Sequence, residues 1–118
     1  MSFVIIENDE ARFSLLEAQK LPAVFGDATS DDVLEKAGIR SARGLIAVTR
    51  NDSDNLFITL SARTLNSELY IITRSTDEAN EEKFLRAGAN KVICPYRIGA
   101  LQIAQSAIRP NVIDFLEI

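Results

Sequence analysis

Short runs of apolar residues recur along the chain and alternate with amphipathic stretches. The runs are continuous and do not alternate in polarity, which is typical of strands buried on both faces of a parallel sheet. This pattern predicts five strands, at residues 3–6, 23–25, 45–48, 69–73 and 91–94.

The amphipathic stretches between these runs carry signals for the ends of helices. Asn, Asp, Ser or Thr precedes the first three, Gly88 follows the fourth, and Pro110 prevents continuation of the last. We expect helices at residues 11–20, 33–37, 52–65, 77–87 and 97–108, the third with Leu56, Ile58 and Leu60 facing inward. A βαβαβαβαβα order predicts one α/β domain over residues 1–118, with a Rossmann-like parallel sheet in three αβα layers.

Composition excludes several classes of partner and chemistry. The 118 residues carry a net charge of -4 with scattered basic residues, which argues against nucleic-acid binding. No apolar run approaches a membrane span and no signal-like segment follows Met1, so we expect a cytoplasmic protein. With Cys94 as the single cysteine and no histidine, the usual transition-metal ligands are missing and we expect no metal site.

Polar residues follow the predicted strands where a parallel sheet binds its ligands, at the carboxyl ends. Glu7 follows the first strand and is suited to a ribose diol, and Asp27 follows the second and is suited to an adenine amino group. Arg50 and Arg74 follow the third and fourth strands and could face a pyrophosphate. The alternatives are a surface acid for Glu7, and solvated or ion-paired roles for both arginines.

Enzymatic chemistry finds no support at these strand ends. A phosphoacceptor receiver domain needs an aspartate after the third strand and a lysine after the fifth, where Thr49 and Pro95 stand. A dehydrogenase or hydrolase needs a proton-transfer group, and histidine is absent. We interpret Cys94, at the end of an apolar strand, as a structural thiol. The chain is therefore expected not to be an enzyme.

Several motifs in the same order resemble the RCK domain family, also called the TrkA N-terminal or KTN domain, whose members regulate potassium channels and transporters. They span almost the whole chain: Val4-Ile5-Ile6-Glu7, Gly26-Asp27-Ala28-Thr29, Ala37-Gly38-Ile39 with Gly44-Leu45-Ile46-Ala47, Asp52-Ser53-Asp54-Asn55, Arg86-Ala87-Gly88-Ala89-Asn90 and Pro95-Tyr96-Arg97-Ile98-Gly99.

The resemblance implies a cytosolic regulatory domain that senses NAD(H) or ATP/ADP and gates a potassium pathway through rearrangement of an oligomer. It implies a homodimer or higher ring, an integral-membrane channel or transporter partner, and a last helix that packs on the partner subunit. Glu7 would hold the ribose and Asp27-Ala28 the adenine. The candidate cofactor-binding residues are Glu7, Asp27, Ala28, Thr49, Arg50 and Arg74. The alternatives are an assembly module without a ligand and a remnant NAD-dependent oxidoreductase domain.

The chain also departs from the family pattern. The family's first strand and Gly-rich phosphate loop would precede Phe3, and the five glycines here contain no GxGxxG spacing, so weakened nucleotide binding is expected. Residues 110–118 would form a linker towards an absent C-terminal lobe. The acids of calcium-gated relatives are replaced by Arg74-Ser75-Thr76. Because the missing strand is central, we expect either that its neighbours close up in the order 2-1-3-4-5, or that a strand from another chain inserts.

Overall fold

A computed structural model describes residues 3–108 of the chain, and within that range strands and helices alternate as the sequence pattern predicts. The strands are β1 (Ile5–Glu7), β2 (Ala23–Phe25), β3 (Gly44–Ala47), β4 (Tyr70–Arg74) and β5 (Lys91–Ile93). The helices are α1 (Glu10–Ala18), α2 (Asp31–Lys36), α3 (Asp52–Leu65), α4 (Glu81–Ala87) and α5 (Pro95–Ile108), with 3₁₀ turns at Ile39–Ser41 and Glu78–Asn80.

The strands form two separate parallel sheets. β1 pairs with β2 in one sheet, and the other has the order β3-β4-β5. The Rossmann-like fold class is thereby confirmed, with five strands and flanking helices. Closure into the order 2-1-3-4-5 is wrong for the described residues, because β1 and β3 are not paired. A gap stands between them.

Local hydrogen bonds explain where the helices begin and end. The Asp9 carboxylate accepts a bond from the Arg12 backbone N–H at 3.0 Å and caps α1. The Asn51 side chain does the same for α3, accepting from the Asp54 N–H at 2.8 Å. α4 ends at Gly88, whose left-handed φ of 115° favours glycine. Capping chemistry was thus a sound guide to these boundaries.

The hydrophobic core lies in the larger sheet and the helices packed against it. Its buried residues come from α2, the adjoining 3₁₀ turn, α3, β4, α4 and the residues that flank these elements, and they are Leu34, Ile39, Ala62, Leu69, Ile71, Phe84 and Ala89. Cys94 is buried at 8% exposure, in agreement with a structural thiol. The smaller sheet contributes no fully buried residue, so the two sheets differ in how firmly they are packed.

Large apolar side chains are exposed at several places, among them the end of β3 and α5. Ile46 and Val48 are 65% and 54% exposed, although the sequence pattern predicts a strand buried on both faces. On α5, Tyr96, Leu101 and Ile103 are 71%, 57% and 73% exposed. Of the helices in residues 3–108, none is long and apolar enough to cross a membrane. The predicted linker at 110–118 lies outside the described residues.

Candidate functional site

A groove of about 840 Å³ occupies the space between the two sheets. Its walls are β1, β3, α1 and the start of α3, and its rim is formed by the loops that follow β1, β2 and β3. Of the six residues predicted to bind a cofactor, the structure brings five to this groove: Glu7, Asp27, Ala28, Thr49 and Arg50. The absent pairing between β1 and β3 is therefore what opens the candidate site.

The loop after β1 places an acid on the rim. The Glu7 side chain is 20% exposed, and its Oε1 lies 3.9 Å from the Arg12 guanidinium, at the limit of an ion pair. Since that contact is long and Arg12 is mostly exposed, the carboxylate keeps its capacity to accept hydrogen bonds from a ligand.

The loop after β2 holds a second carboxylate in one orientation. Asp27 Oδ1 accepts the Thr29 backbone N–H at 2.9 Å and the Thr29 hydroxyl at 2.7 Å. These bonds, the backbone one first, lower the pKa of Asp27 against the small opposing effect of burial. Gly26 begins this loop with φ 156°, and a Cβ there would lie 2.7 Å from Val33 Cγ2. Only glycine lets β2 turn this closely past α2.

The loop after β3 is fixed by Asn55, a buried residue at 1% exposure. Its Oδ1 accepts the Thr49 backbone N–H at 2.8 Å and the Thr49 hydroxyl at 2.7 Å. Its Nδ2 donates to the carbonyls of Thr49 at 3.3 Å and Arg74 at 3.1 Å. One amide thus joins the ends of β3 and β4 and sets the path of the chain into Arg50.

Arg74 does not line the groove. Its Nη2 donates to the carbonyls of Val48 and Thr49, at 3.1 and 2.7 Å, so the side chain folds back over the end of β3. Contact with a pyrophosphate, which the sequence suggested for Arg74, stays a prediction, and it would require these bonds to break. Arg50, by contrast, lines the groove and is exposed.

A second polar cluster ties α3 to the loop after β4. Asp52 accepts bonds from the Ser75 hydroxyl at 3.0 Å, the Thr76 N–H at 2.9 Å and the Asn80 amide at 2.9 Å. Burial raises the pKa of Asp52, but these hydrogen bonds together lower it below its ordinary value. The cluster is away from the groove and joins α3 to the loop after β4, so its role is structural.

Sequence reasoning missed Asn55, Thr29 and Asn8 as residues of the site or its support. Asn55 carried a readable signal, because it stands on the buried stripe of α3 with Ile58, Thr59 and Ala62. A polar residue at such a position needs internal partners. Thr29 and Asn8, which line the groove, carried no comparable signal.

The chemistry offered by the groove is recognition. Its rim presents carboxylate, hydroxyl and amide groups at the ends of three strands, a set that can accept and donate hydrogen bonds to a polar ligand. Within residues 3–108, no group of three or more His, Cys, Asp or Glu is placed to hold a metal ion. This arrangement is suited to binding a small polar molecule at the carboxyl ends of parallel strands.

Comparison with known proteins gives the same fold and a family. The profile of the TrkA-N domain matches residues 1–95. "Potassium channel protein 1" of Methanocaldococcus jannaschii is 43% identical over 116 residues, which are 97% of this chain and 35% of that protein. The chain thus spans about a third of the length of this relative.

Solved structures agree. The TrkA-N domain of the inner membrane protein ybaL from Escherichia coli superposes with a TM-score of 0.82 at 27% identity, over 86% of this chain and 76% of that one. The GsuK channel bound to NAD gives 0.72 at 27% identity, over 94% and 24%, and GsuK bound to ADP gives 0.68 at 29%, over 89% and 33%. The extended match to the family profile and the 43% identity lead to one conclusion: this chain belongs to the TrkA-N domain family.

Proposed function

We propose that the chain is a regulatory domain of a potassium channel or transporter and binds an adenine nucleotide at the rim of the groove. The observation that carries this proposal is the placement of Glu7 and Asp27 at neighbouring strand ends on one groove. The M. jannaschii relative is named a potassium channel, and GsuK has been solved with NAD and with ADP.

The nucleotide is proposed to bind through its adenosine part. Glu7 accepts the hydroxyls of the ribose, while Asp27, whose Oδ1 is held by Thr29, offers Oδ2 to the adenine amino group. Acids outnumber bases around the groove, with Glu7, Asp9, Asp27 and Asp54 against Arg12 and Arg50. A pyrophosphate is therefore poorly compensated, and we expect weak binding that depends little on the phosphates.

Assembly is the second part of the proposal. The exposed apolar residues of α5, among them Ile98, Leu101 and Ile103, suit packing against a second copy. A nucleotide that binds one arrangement of such a dimer better than another shifts the population between them and passes its signal to a membrane partner. No catalytic step is part of this function.

Calorimetry with NAD, NADH, ATP and ADP tests the nucleotide site. We expect binding in the high micromolar range or weaker, lost in Glu7→Gln and in Asp27→Asn. Glu82→Gln is the matched control, because Glu82 pairs with Arg86 on the surface of α4 and does not line the groove. Equal binding by Glu7→Gln, Asp27→Asn and Glu82→Gln would place the ligand elsewhere.

The competing function is an assembly module without a ligand. It predicts no heat with any nucleotide, together with a dimer in light scattering that Leu101→Glu dissociates. A dimer that neither nucleotide nor the substitutions in the groove affect would support this alternative. A monomer that binds nucleotide would instead remove assembly from the proposal.

A further inference from the structure

We propose that an ion-pair cluster of Arg97, Glu78 and Glu81 sets the direction in which α5 leaves the domain, and that α5 changes direction when this cluster breaks. The proposal concerns the attachment of α5 to its own protomer, so it depends neither on nucleotide binding nor on a second copy. Two independent features carry it. α5 has little apolar packing against the domain, and its polar contacts with other elements converge on one residue.

Apolar packing does not fix α5 in place. Of residues 95–107, none is fully buried and most are exposed. In the described part of the chain, the side chains that form or contact the buried core come from other elements, and none of them lies on α5. By contrast, α3 and α4 bury Ile58 and Phe84 at 2% and 1% exposure. The burial of an apolar face, which normally holds a helix on its domain, therefore contributes little to the direction of α5.

Polar contacts between α5 and the rest of the domain converge on Arg97, in the first turn of the helix. Its Nη2 donates to Glu81 Oε2, and its Nε lies 2.6 Å from Glu78 Oε1, an ion pair that lacks the alignment of a hydrogen bond. The hydrogen bond from the Ser106 hydroxyl stays within α5. Arg97 thus carries the side-chain hydrogen bond and the ion pairs that join residues 95–107 to another element of the described chain.

The two acids of the cluster belong to a firmly held part of the domain. Glu78 lies in the 3₁₀ turn before α4, and Glu81 is the first residue of α4. Asn80, which stands between them, donates to the Asp52 carboxylate at 2.9 Å and so ties the turn to α3. α4 itself packs on the core through the buried Phe84. Arg97 therefore binds to a fixed point, and α5 is the element that moves when this contact is lost.

The exposure of the cluster sets how firmly it holds α5. The side chains of Arg97, Glu78 and Glu81 are 38%, 64% and 36% exposed, so water and salt weaken both ion pairs. Two pairs of this kind favour the arrangement in which Arg97 contacts both acids over a released one by about two- to thirtyfold. Release breaks none of the core contacts described above. A competing acidic group that binds Arg97 would therefore redirect α5 while the domain stays folded.

Residual dipolar couplings of the backbone amides, measured by nuclear magnetic resonance on the full chain, test the direction of α5. The parent protein carries Leu101→Gln and Ile103→Gln, which remove apolar side chains that would pack on a second copy and offer Arg97 no new acid. In the parent, the couplings of α4 and α5 should fit one alignment. Arg97→Gln should reduce the α5 couplings by about twofold or more, because α5 then samples several directions. The couplings of α3 and α4 and the free energy of unfolding should stay nearly unchanged.

Charge variants separate this cluster from a general effect of surface charge. Glu82→Gln is the matched control, because Glu82 pairs with Arg86 on α4 itself, and it should leave the α5 couplings unchanged. Arg97→Glu should release α5, and its combination with Glu78→Gln and Glu81→Arg should restore the couplings, since opposite charges face each other again. Salt at about 1 M should act as Arg97→Gln does. Unchanged α5 couplings in Arg97→Gln, an equal effect of Glu82→Gln, or couplings already averaged in the parent would each overturn the proposal.

Discussion

Substitution of Asn55 by alanine tests whether one buried amide holds the loops after β3 and β4. In the native chain this side chain makes four hydrogen bonds, two to Thr49 through Oδ1 and two to the carbonyls of Thr49 and Arg74 through Nδ2. The alanine variant removes all four hydrogen bonds but does not leave all four partner groups without another hydrogen bond. Without Asn55, the Thr49 hydroxyl can turn to donate to the Asn51 carbonyl, which is 3.2 Å away, and the Thr49 carbonyl still accepts from Arg74 at 2.7 Å.

The expected loss follows from the groups that remain without a partner, the Thr49 N–H and the Arg74 carbonyl. Each such group costs about 1–3 kcal/mol, and because both are partly buried we expect Asn55→Ala to lower the free energy of unfolding by about 2–4 kcal/mol in total. Asn51→Ala removes the cap of the same helix together with an exposed 3.2 Å bond to the Asp54 carboxylate, and it should cost about 1 kcal/mol.

Urea denaturation followed by circular dichroism measures both losses. A double-mutant cycle between Asn55→Ala and Thr49→Val should show coupling, because the two side chains are 2.7 Å apart. If Asn55→Ala costs no more than Asn51→Ala, or if the cycle is additive, the amide does not hold these loops together.

Three further predictions concern Gly26, Asp27 and Arg63. Gly26→Ala meets a contact at 2.7 Å and should cost about 1–3 kcal/mol in urea denaturation, whereas Gly99→Ala, with open space around it in α5, should be neutral or stabilising. The pKa of Asp27 is lower in the folded chain than the value of about 3.9 in the unfolded chain, because Asp27 accepts bonds from Thr29. The stabilisation from these bonds is complete above the unfolded pKa and is lost as the pH falls through the folded pKa. In an acid titration, Asp27→Asn should therefore lose less of its free energy of unfolding below about pH 4 than the native chain does. The Arg63 guanidinium donates two hydrogen bonds to the carbonyl of Gly88, which follows α4, at 3.1 Å from Nε and 2.7 Å from Nη2. Lysine cannot make this paired contact, so Arg63→Lys should lower the free energy of unfolding by about 1–3 kcal/mol without changing nucleotide affinity.

The order and type of the main elements could be predicted because they depend on local signals. Continuous apolar runs marked all five strands, and side-chain caps such as Asp9 and Asn51 marked the helix starts. The predicted inward stripe of α3 was right for Ile58, which is buried, and for Leu56, which packs against the core, but wrong for Leu60, which is 49% exposed. It also left out Asn55 and Thr59, which are buried. A stripe chosen by apolar residues alone leaves out these two polar residues, which can be buried because Asn55 donates to the Arg74 carbonyl and Thr59 to the Asn55 carbonyl.

The candidate site could be predicted in its residues but not in its shape. Glu7, Asp27 and Thr49 were identified because the carboxyl ends of parallel strands converge. That Arg74 turns back onto the carbonyls of Val48 and Thr49, just after β3, depends on which residues are its neighbours in space, and the spacing of residues along the chain does not reveal this. The gap between β1 and β3 could not be predicted for the same reason. The local pattern of residues indicates that a strand is present, but its pairing depends on residues far away in the sequence.

The split sheet also bears on how the chain unfolds. No backbone ladder joins β1 and β2 to β3, β4 and β5, and of the residues in β1 and β2 only Ile6 packs against the buried core, which lies on the larger sheet and its helices. Cooperative unfolding requires shared contacts, so the segment from β1 to β2 should open at a lower free energy than the rest. In native-state exchange we therefore expect two levels of protection, the lower one for the amides from β1 to β2 and the higher one for those of the larger sheet.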